Sequence, residues 1–313
     1  MEPNGVAYPT VLVPYPGPET RPGFQDIFVY LRPESNGVLA ESTVLKVVER
    51  CPEYKRSLHL VYLANIPGEF ILRNHIVERH YGVKLRFAVT GKSAFTALMK
   101  RQFSEYFGVS YESAPIVGSF EALRLLSMRP EELFERWVPS RDLLMVHGQS
   151  IKRIDEYFVV NYDIPALLHK NNRSTDIAVM VFRTELSYDY FSSLVQEMRV
   201  RLVETEQLNP RYPPSRVFHY SKGPFEQVLD GIGYLYDSDG TGIDLEQISF
   251  AAYVAAQNES FDDLVDTLSQ PIVKCRQADG TVREDNLLLY TAHDTYETAV
   301  AKYRAIVARY HIH

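Results

Sequence analysis

Two histidines stand close behind apolar runs, in "LLMVHGQS" and "LLLYTAHD". An imidazole changes charge near neutral pH and can pass a proton either way. His147 and His293 are therefore the candidate catalytic groups, as general bases or hydrogen-bond donors. Asp294 adjoins His293, although adjacency alone does not aim one side chain at the other. Other polar clusters follow apolar runs in the same manner: Asn65; Thr90, Lys92 and Ser93; Gln149 and Ser150; Ser221 and Lys222; Thr291. In open parallel sheets, ligands sit beyond the carboxyl ends of the strands. On that rule Asn65, Thr90, Lys92, Ser93, Gln149, Lys222 and Asp294 are expected to bind a small polar or anionic ligand.

The motifs around these residues are incomplete. "TGKS" ends like a phosphate-binding loop, but the earlier glycine that such a loop needs falls on Arg86. What is left is a lysine beside an expected helix N-terminus, which attracts anions, with Ser93 as the expected cap. In "HIVERH", His75 and Glu78 share a helical face and His80 leaves it, so the spacing of a zinc helix is absent. Neither Cys51 nor Cys275 stands in an adjacent basic motif of the kind that marks a nucleophile.

The acidic stretch "DSDGTGIDLEQI" (237–248) locally resembles the calcium loop of an EF-hand. Asp237, Asp239, Thr241 and Gly242 fall on positions one, three, five and six of that loop. Position eight should be apolar and is Asp244; position twelve should be glutamate and is Ile248. The same letters write a turn followed by a helix capped by Asp244 and Gln247. The turn is the expectation, with Asp237, Asp239 and Thr241 as weak metal candidates and calcium-modulated control as one alternative function.

Buried strands and helices must position these groups. Residues 27–31, 58–64, 143–146, 177–182 and 287–290 are apolar from end to end, which suits strands covered on both faces. "VKLRFAV" (83–89) alternates and reads as a wetter strand. Helical patterns lie between: 69–82, 93–108 with Gly108 as its left-handed stop, 187–204, and a C-terminal helix with Tyr296, Val300, Tyr303, Val307 and Tyr310 on one stripe. Phe225, Val228, Leu229, Ile232 and Leu235 form a further helical face. The alternation predicts an α/β fold with largely parallel sheets and helices on both faces. "QDIFVYLRPE" echoes "TDIAVMVFRTE", and the polar "HKNNRST" (169–175) reads as a boundary. Two similar halves follow as the expected organisation, 1–168 and 176–313, the second ending in a helix.

The bulk numbers bound the function. The chain has 313 residues, a net charge of -7 and 45% apolar residues, a normal globular balance. That charge argues against a nucleic-acid binder working by broad phosphate neutralisation. "MEPNGVAYPT" has neither a basic nor an apolar leader region, and no apolar run reaches the roughly 20 residues of a membrane span. Two cysteines make no disulfide framework. A cytoplasmic protein away from membranes is expected; homo-oligomers stay open, and no motif names a cofactor. The alternative to ligand binding is a non-catalytic interaction or scaffold protein, to which 21 tyrosines would be suited.

Overall fold

The computed structural model describes residues 7–32, 35–210 and 218–311, so the first six residues of the opening stretch lie outside it. The strands are β1 (Thr10–Val13), β2 (Gln25–Leu31), β3 (Leu58–Ile66), β4 (Ile116–Gly118), β5 (Leu143–Val146), β6 (Gln149–Ile154), β7 (Tyr157–Val160), β8 (Ile177–Thr184), β9 (Phe218–Tyr220), β10 (Ile272–Arg276), β11 (Val282–Asn286) and β12 (Ile306–Arg309). The helices that matter below are α1 (Val38–Arg50), α2 (Gly82–Thr90), α3 (Ala97–Phe107), α4 (Tyr188–Glu204), α5 (Pro224–Tyr234) and α6 (Ser249–Ala256). Among the described residues no helix is long and apolar enough to cross a membrane.

The chain groups into two units. The first comprises Met1–Ile76, Asn171–Leu264 and Thr291–Ala301; the second comprises Val77–Lys170, Val265–Tyr290 and Lys302–His313. One passage between units falls inside the polar stretch 169–175, and each unit draws on sequence from both sides of it.

The first unit is built on a five-stranded sheet in the order β1-β3-β8-β2-β9. Every neighbouring pair in it is antiparallel, which overturns the expectation of largely parallel sheets. The physical reason lies in the topology. β2 and β3 both run against β8, so they share a direction, and α1 connects them as a crossover helix should. However, β8 sits between them. Likewise α4 links β8 to β9 around β2. This is the split β-α-β arrangement of ferredoxin-like sheets, in which strands alternate with helices in sequence yet pair antiparallel in space. Continuous apolarity reports burial on both faces, not strand direction.

Alternate residues of this sheet serve two cores. Ile27, Val29, Leu31, Ala178, Met180 and Phe182 meet Val44, Val47 and Val48 of α1 and Phe191, Leu194 and Val195 of α4. Residues between them turn to the opposite face. There Tyr30 packs on Tyr234 of α5 at 4.6 Å, and the Tyr62 hydroxyl accepts the Tyr236 amide at 3.1 Å. The two segments that echo each other in sequence are neighbours here, with Ile27 opposite Phe182 and Tyr30 opposite Val179.

The second unit holds a four-stranded sheet, β4-β7-β6-β5, and a three-stranded one, β11-β10-β12. β4 and β7 are parallel and the other pairs antiparallel. Its core gathers Phe87, Phe95, Phe103 and Phe158. Two segments expected as strands are helical. "VKLRFAV" lies in α2, where Val83 and Phe87, four residues apart, turn to one core. "LLLY" (Leu287–Tyr290) is a single helical turn, begun by the Asn286 side chain accepting the Leu288 amide at 3.0 Å. Runs this short fit either period. The expected C-terminal helix stops at Arg304, and Ile306–Arg309 becomes β12 beside β10. By contrast α4 starts and stops as read, and α3 stops before Gly108 as read but starts at Ala97, not at Ser93. Thr96 and Ser187 cap them by accepting the Met99 and Tyr190 amides, and Gly108 takes φ +65°.

Candidate functional site

In the second unit the expected site residues are occupied with holding the fold. His147 and Gly148 are the two left-handed residues of the β5–β6 turn, with φ +48° and +77°. The His147 imidazole lies with Nε2 3.1 Å from Glu284 Oε1 and Nδ1 3.9 Å from Asp285 Oδ1. Glu284 also accepts the Thr96 hydroxyl, and Asn286 donates to the His147 carbonyl at 2.9 Å. His147 thus ties the β5–β6 hairpin to β11. Gln149 donates to the His147 carbonyl at 3.0 Å and accepts from Asn161 at 2.8 Å.

The Gly-Lys-Ser stretch follows the end of α2 and not a strand, and forms a single 3-10 turn, Gly91–Ala94; the α-helix expected to begin beside Lys92 begins at Ala97. The side chains of the stretch point back onto backbone. Thr90 donates to the Arg86 carbonyl at 2.7 Å, Ser93 to the Thr90 carbonyl at 3.1 Å, and Lys92 to the Glu112 carbonyl at 2.7 Å. Thr96, not Ser93, caps the following helix. In the first unit Asn65 donates to Asp176 Oδ2 at 3.1 Å while Asp176 Oδ1 takes the Gly68 amide at 3.0 Å, a tie across the ends of β3 and β8.

The acidic loop is a hairpin turn. Tyr236 bridges Gly242, the Asp237 amide donates to the Thr241 carbonyl at 2.9 Å, and the Ile243 amide donates to the Leu235 carbonyl at 3.0 Å. Asp237 Oδ1 accepts the amides of Asp239 and Thr241 at 3.2 and 3.0 Å, and Asp239 Oδ1 accepts Thr241 at 2.9 Å. The carboxylates face the loop's own backbone. Asp244 caps only through its carbonyl, which accepts the Gln247 amide at 2.9 Å; its side chain makes no cap, contrary to the expected capping box. Asp237→Ala is therefore expected to cost about 1 kcal/mol, the worth of the bonds it holds, equally in calcium and in chelator. Urea unfolding in the two buffers checks this.

The end of β9 in the first unit is different. Tyr220 leads to Ser221, Lys222 and Gly223, and Pro224 opens α5. Ser221 is locked to β2: its amide donates to the Phe28 carbonyl at 3.0 Å and its hydroxyl accepts the Phe28 amide at 2.8 Å. The segment 291–294 closes on this strand end. The His293 amide donates to the Lys222 carbonyl at 2.7 Å. A Cβ on Gly223 would stand 2.6 Å from the Thr291 carbonyl oxygen, so only glycine permits this approach. Gly223→Ala is expected to cost roughly 1–3 kcal/mol as the two segments part, read from the urea midpoint.

Two sequence-expected residues, Lys222 and His293, thus become neighbours. The His293 ring stacks on Tyr188 at 5.6 Å with planes 7° apart, its Nδ1 3.4 Å from Asp189 Oδ1, and its side chain is 47% exposed. Lys222 is exposed, with its ammonium 6.0 Å from the Tyr220 ring.

Behind them lies a cluster that sequence reasoning missed. His219 sits opposite Tyr30 in the β2–β9 pairing, and the two rings stack at 4.5 Å. Its Nε2 is 3.2 Å from Asp230 Oδ2 and 3.7 Å from Glu226 Oε1. Glu226 and Asp230 are four residues apart on α5, hence on one face. The Lys222 amide donates to Glu226 Oε2 at 2.6 Å. Burial pushes the His219 imidazole down to about 4, against the pull of Glu226 and with the help of Arg32 and Lys222. Burial likewise raises the Glu226 carboxyl, with Asp230 adding to the effect and His219 opposing it. At neutral pH the imidazole is therefore uncharged, and the burial that keeps it so also makes it a weak base. The available signal was the i, i+4 pair of carboxylates in "FEQVLD".

A buried hydrogen-bonded chain supports the same face. Arg183 grips Asp26 through two bonds, Nε to Oδ1 at 2.8 Å and Nη2 to Oδ2 at 2.9 Å. Tyr15 and Ser249 donate to Asp26 Oδ2, and Arg183 also reaches the Gly17 carbonyl at 2.7 Å. Burial raises the Tyr15 phenol, and the Asp26 charge raises it further. Burial works against the Arg183 charge, and its bonds to Asp26 more than offset this. From the Asp26 amide the chain continues to the Tyr296 hydroxyl, then to Gln227, then to Tyr188, whose ring carries His293.

No family model matches this chain, and no curated protein or solved structure matches it either.

Proposed function

We propose that the protein binds a small polar ligand with an anionic end at the carboxyl end of β9. The observation that carries this reading is the closure of residues 291–293 on Lys222 and Gly223, through the His293–Lys222 backbone bond and the Gly223–Thr291 approach. It sets an exposed ammonium and a half-exposed imidazole at the rim of a buried polar cluster. The parallel-sheet rule lends no support, since β9 pairs antiparallel; the backbone closure that brings Lys222 and His293 to one strand end supports it instead. Lys222 would take the anionic end, and His293 with Asp189 would hydrogen-bond the polar body. If the ligand is transformed, His293, at the rim and stacked on Tyr188, is the group placed to pass a proton.

Isothermal titration with glycerol 3-phosphate and with inorganic phosphate tests the reading. Saturable binding that survives Lys92→Ala is expected. Binding lost in Lys92→Ala, or heat that never saturates, contradicts it. The interaction reading keeps one observation in the second unit, Trp137, which is 81% exposed. It predicts self-association that Trp137→Ala abolishes in sedimentation.

A further inference from the structure

We infer that the cleft between the C-terminal turn of α1 and the first turns of α4 binds a free α-amino acid with an apolar side chain. The cleft shares no residue with the carboxyl end of β9 and does not rest on the reading given there.

Two helical stripes line the cleft. Val47, Arg50 and Cys51 recur at helical spacing on α1, and Tyr190, Leu194 and Glu197 do so on α4. Both helices pack on the same sheet, through Val44 and Val48 of α1 and Phe191 and Val195 of α4. The walls are therefore fixed before any ligand arrives, as a binding site requires. The floor is apolar, since Val47 and Leu194 are buried. The volume is about 230 Å³, below the roughly 300–1,000 Å³ of pockets for drug-sized ligands. A small metabolite is the size that fits.

The charges select the ligand. Arg50 and Glu197 are exposed at the rim, one on each helix. Neither side chain has an ion-pair or hydrogen-bond partner among the described residues. A cation on one wall and an anion on the other, above an apolar floor, complement a zwitterion with an apolar body. Arg50 takes the carboxylate, Glu197 takes the ammonium, and the alkyl group lies on Val47 and Leu194 beside the Tyr190 ring. The other polar groups of the wall are engaged already. The Tyr190 hydroxyl donates to Glu53, the Cys51 thiol donates to the same carboxylate at 3.0 Å, and thiol and hydroxyl stand 3.1 Å apart. Burial raises the Cys51 thiol, and Glu53 raises it further. It meets the ligand as a small neutral group and not as a thiolate nucleophile.

The test is isothermal titration of the full chain with L-leucine, isocaproate and isoamylamine; the last two each lack one of leucine's charges. Saturable leucine binding with a dissociation constant of about 1 mM or tighter is expected. Each single-charge analogue should bind about ten-fold more weakly or worse, the worth of one charged hydrogen bond. This comparison needs no variant. Arg50→Ala and Glu197→Ala, both at exposed positions, should each weaken leucine by a similar factor, and Lys222→Ala should leave it unchanged. No saturable leucine binding, an analogue that binds as well as leucine, or affinity unchanged in either cleft variant overturns the inference. So does leucine binding lost in Lys222→Ala, which would move the amino acid to the end of β9. Glycerol 3-phosphate binding that persists in Arg50→Ala keeps the two sites separate, so either can fail without the other.

Discussion

Replacing Arg183 by leucine is expected to lower the unfolding free energy of the first unit by roughly 3–5 kcal/mol, the usual cost of leaving one partner of a buried ion pair behind. The Asp26 side chain is 3% exposed and that of Arg183 12%, so neither charge can fall back on water. Without the guanidinium, Asp26 keeps the hydroxyls of Tyr15 and Ser249 but no counter-charge, and the Gly17 carbonyl loses its donor. Asp26→Leu with Arg183→Leu should be milder than the single change, because no unpaired charge remains. The loss should also reach the rim, since Tyr296, Gln227 and Tyr188 run from the Asp26 amide to the ring beneath His293. Urea unfolding followed by far-UV circular dichroism measures the energies. A single-variant loss below about 1 kcal/mol, the range of exposed pairs, would mean that water reaches the pair.

The second large effect concerns binding. Lys222→Ala combined with His293→Ala is expected to weaken glycerol 3-phosphate by ten- to a hundred-fold, about 1.4–2.8 kcal/mol. Lys222 supplies the positive charge and His293 a ring nitrogen, and a hydrogen bond to a charged group is worth about 1.5–3 kcal/mol. Both side chains are exposed, and the bond joining the two segments is between backbone atoms. Thermal stability should therefore change little. Unchanged affinity in the double variant would move the ligand elsewhere.

Much of the fold was legible, but in an uneven way. β2 and β8 were readable because strands covered on both faces are apolar at nearly every position, and β2 is buried along its whole length; β3 and β5 are as apolar but less covered, with Met145 of β5 exposed. Their direction was not readable. The order β3-β8-β2-β9 places β8 inside the β2-α1-β3 crossover, and nothing in the letters of β8 says so. "VKLRFAV" and "LLLY" were misread because spans shorter than two helical turns carry no period. Site residues divide along the same line. Ser221, Lys222, Thr291 and His293 were visible as polar residues after apolar runs, and the backbones of the two segments that carry them meet at Lys222–His293 and Gly223–Thr291. Lys92 and His147 fit the same pattern, yet they bind the Glu112 carbonyl and the Glu284 carboxylate. His219 was invisible because its partners depend on register: it faces Tyr30 only through the β2–β9 pairing and reaches Glu226 and Asp230 only once α5 has folded back. Charged residues inside apolar strands were a signal left unused, since Asp26 and Arg183 interrupt β2 and β8 for a buried pair.

The most direct test of the central claim, that the carboxyl end of β9 is a ligand site, is an amide-resolved magnetic resonance titration with glycerol 3-phosphate. The account predicts saturable shifts at Lys222, Gly223, Thr291, Ala292 and His293, whose amides frame the closure, with the Lys92 and His147 amides unmoved. Saturable shifts centred on Lys92 or His147, or no saturable shift at any amide, would contradict it.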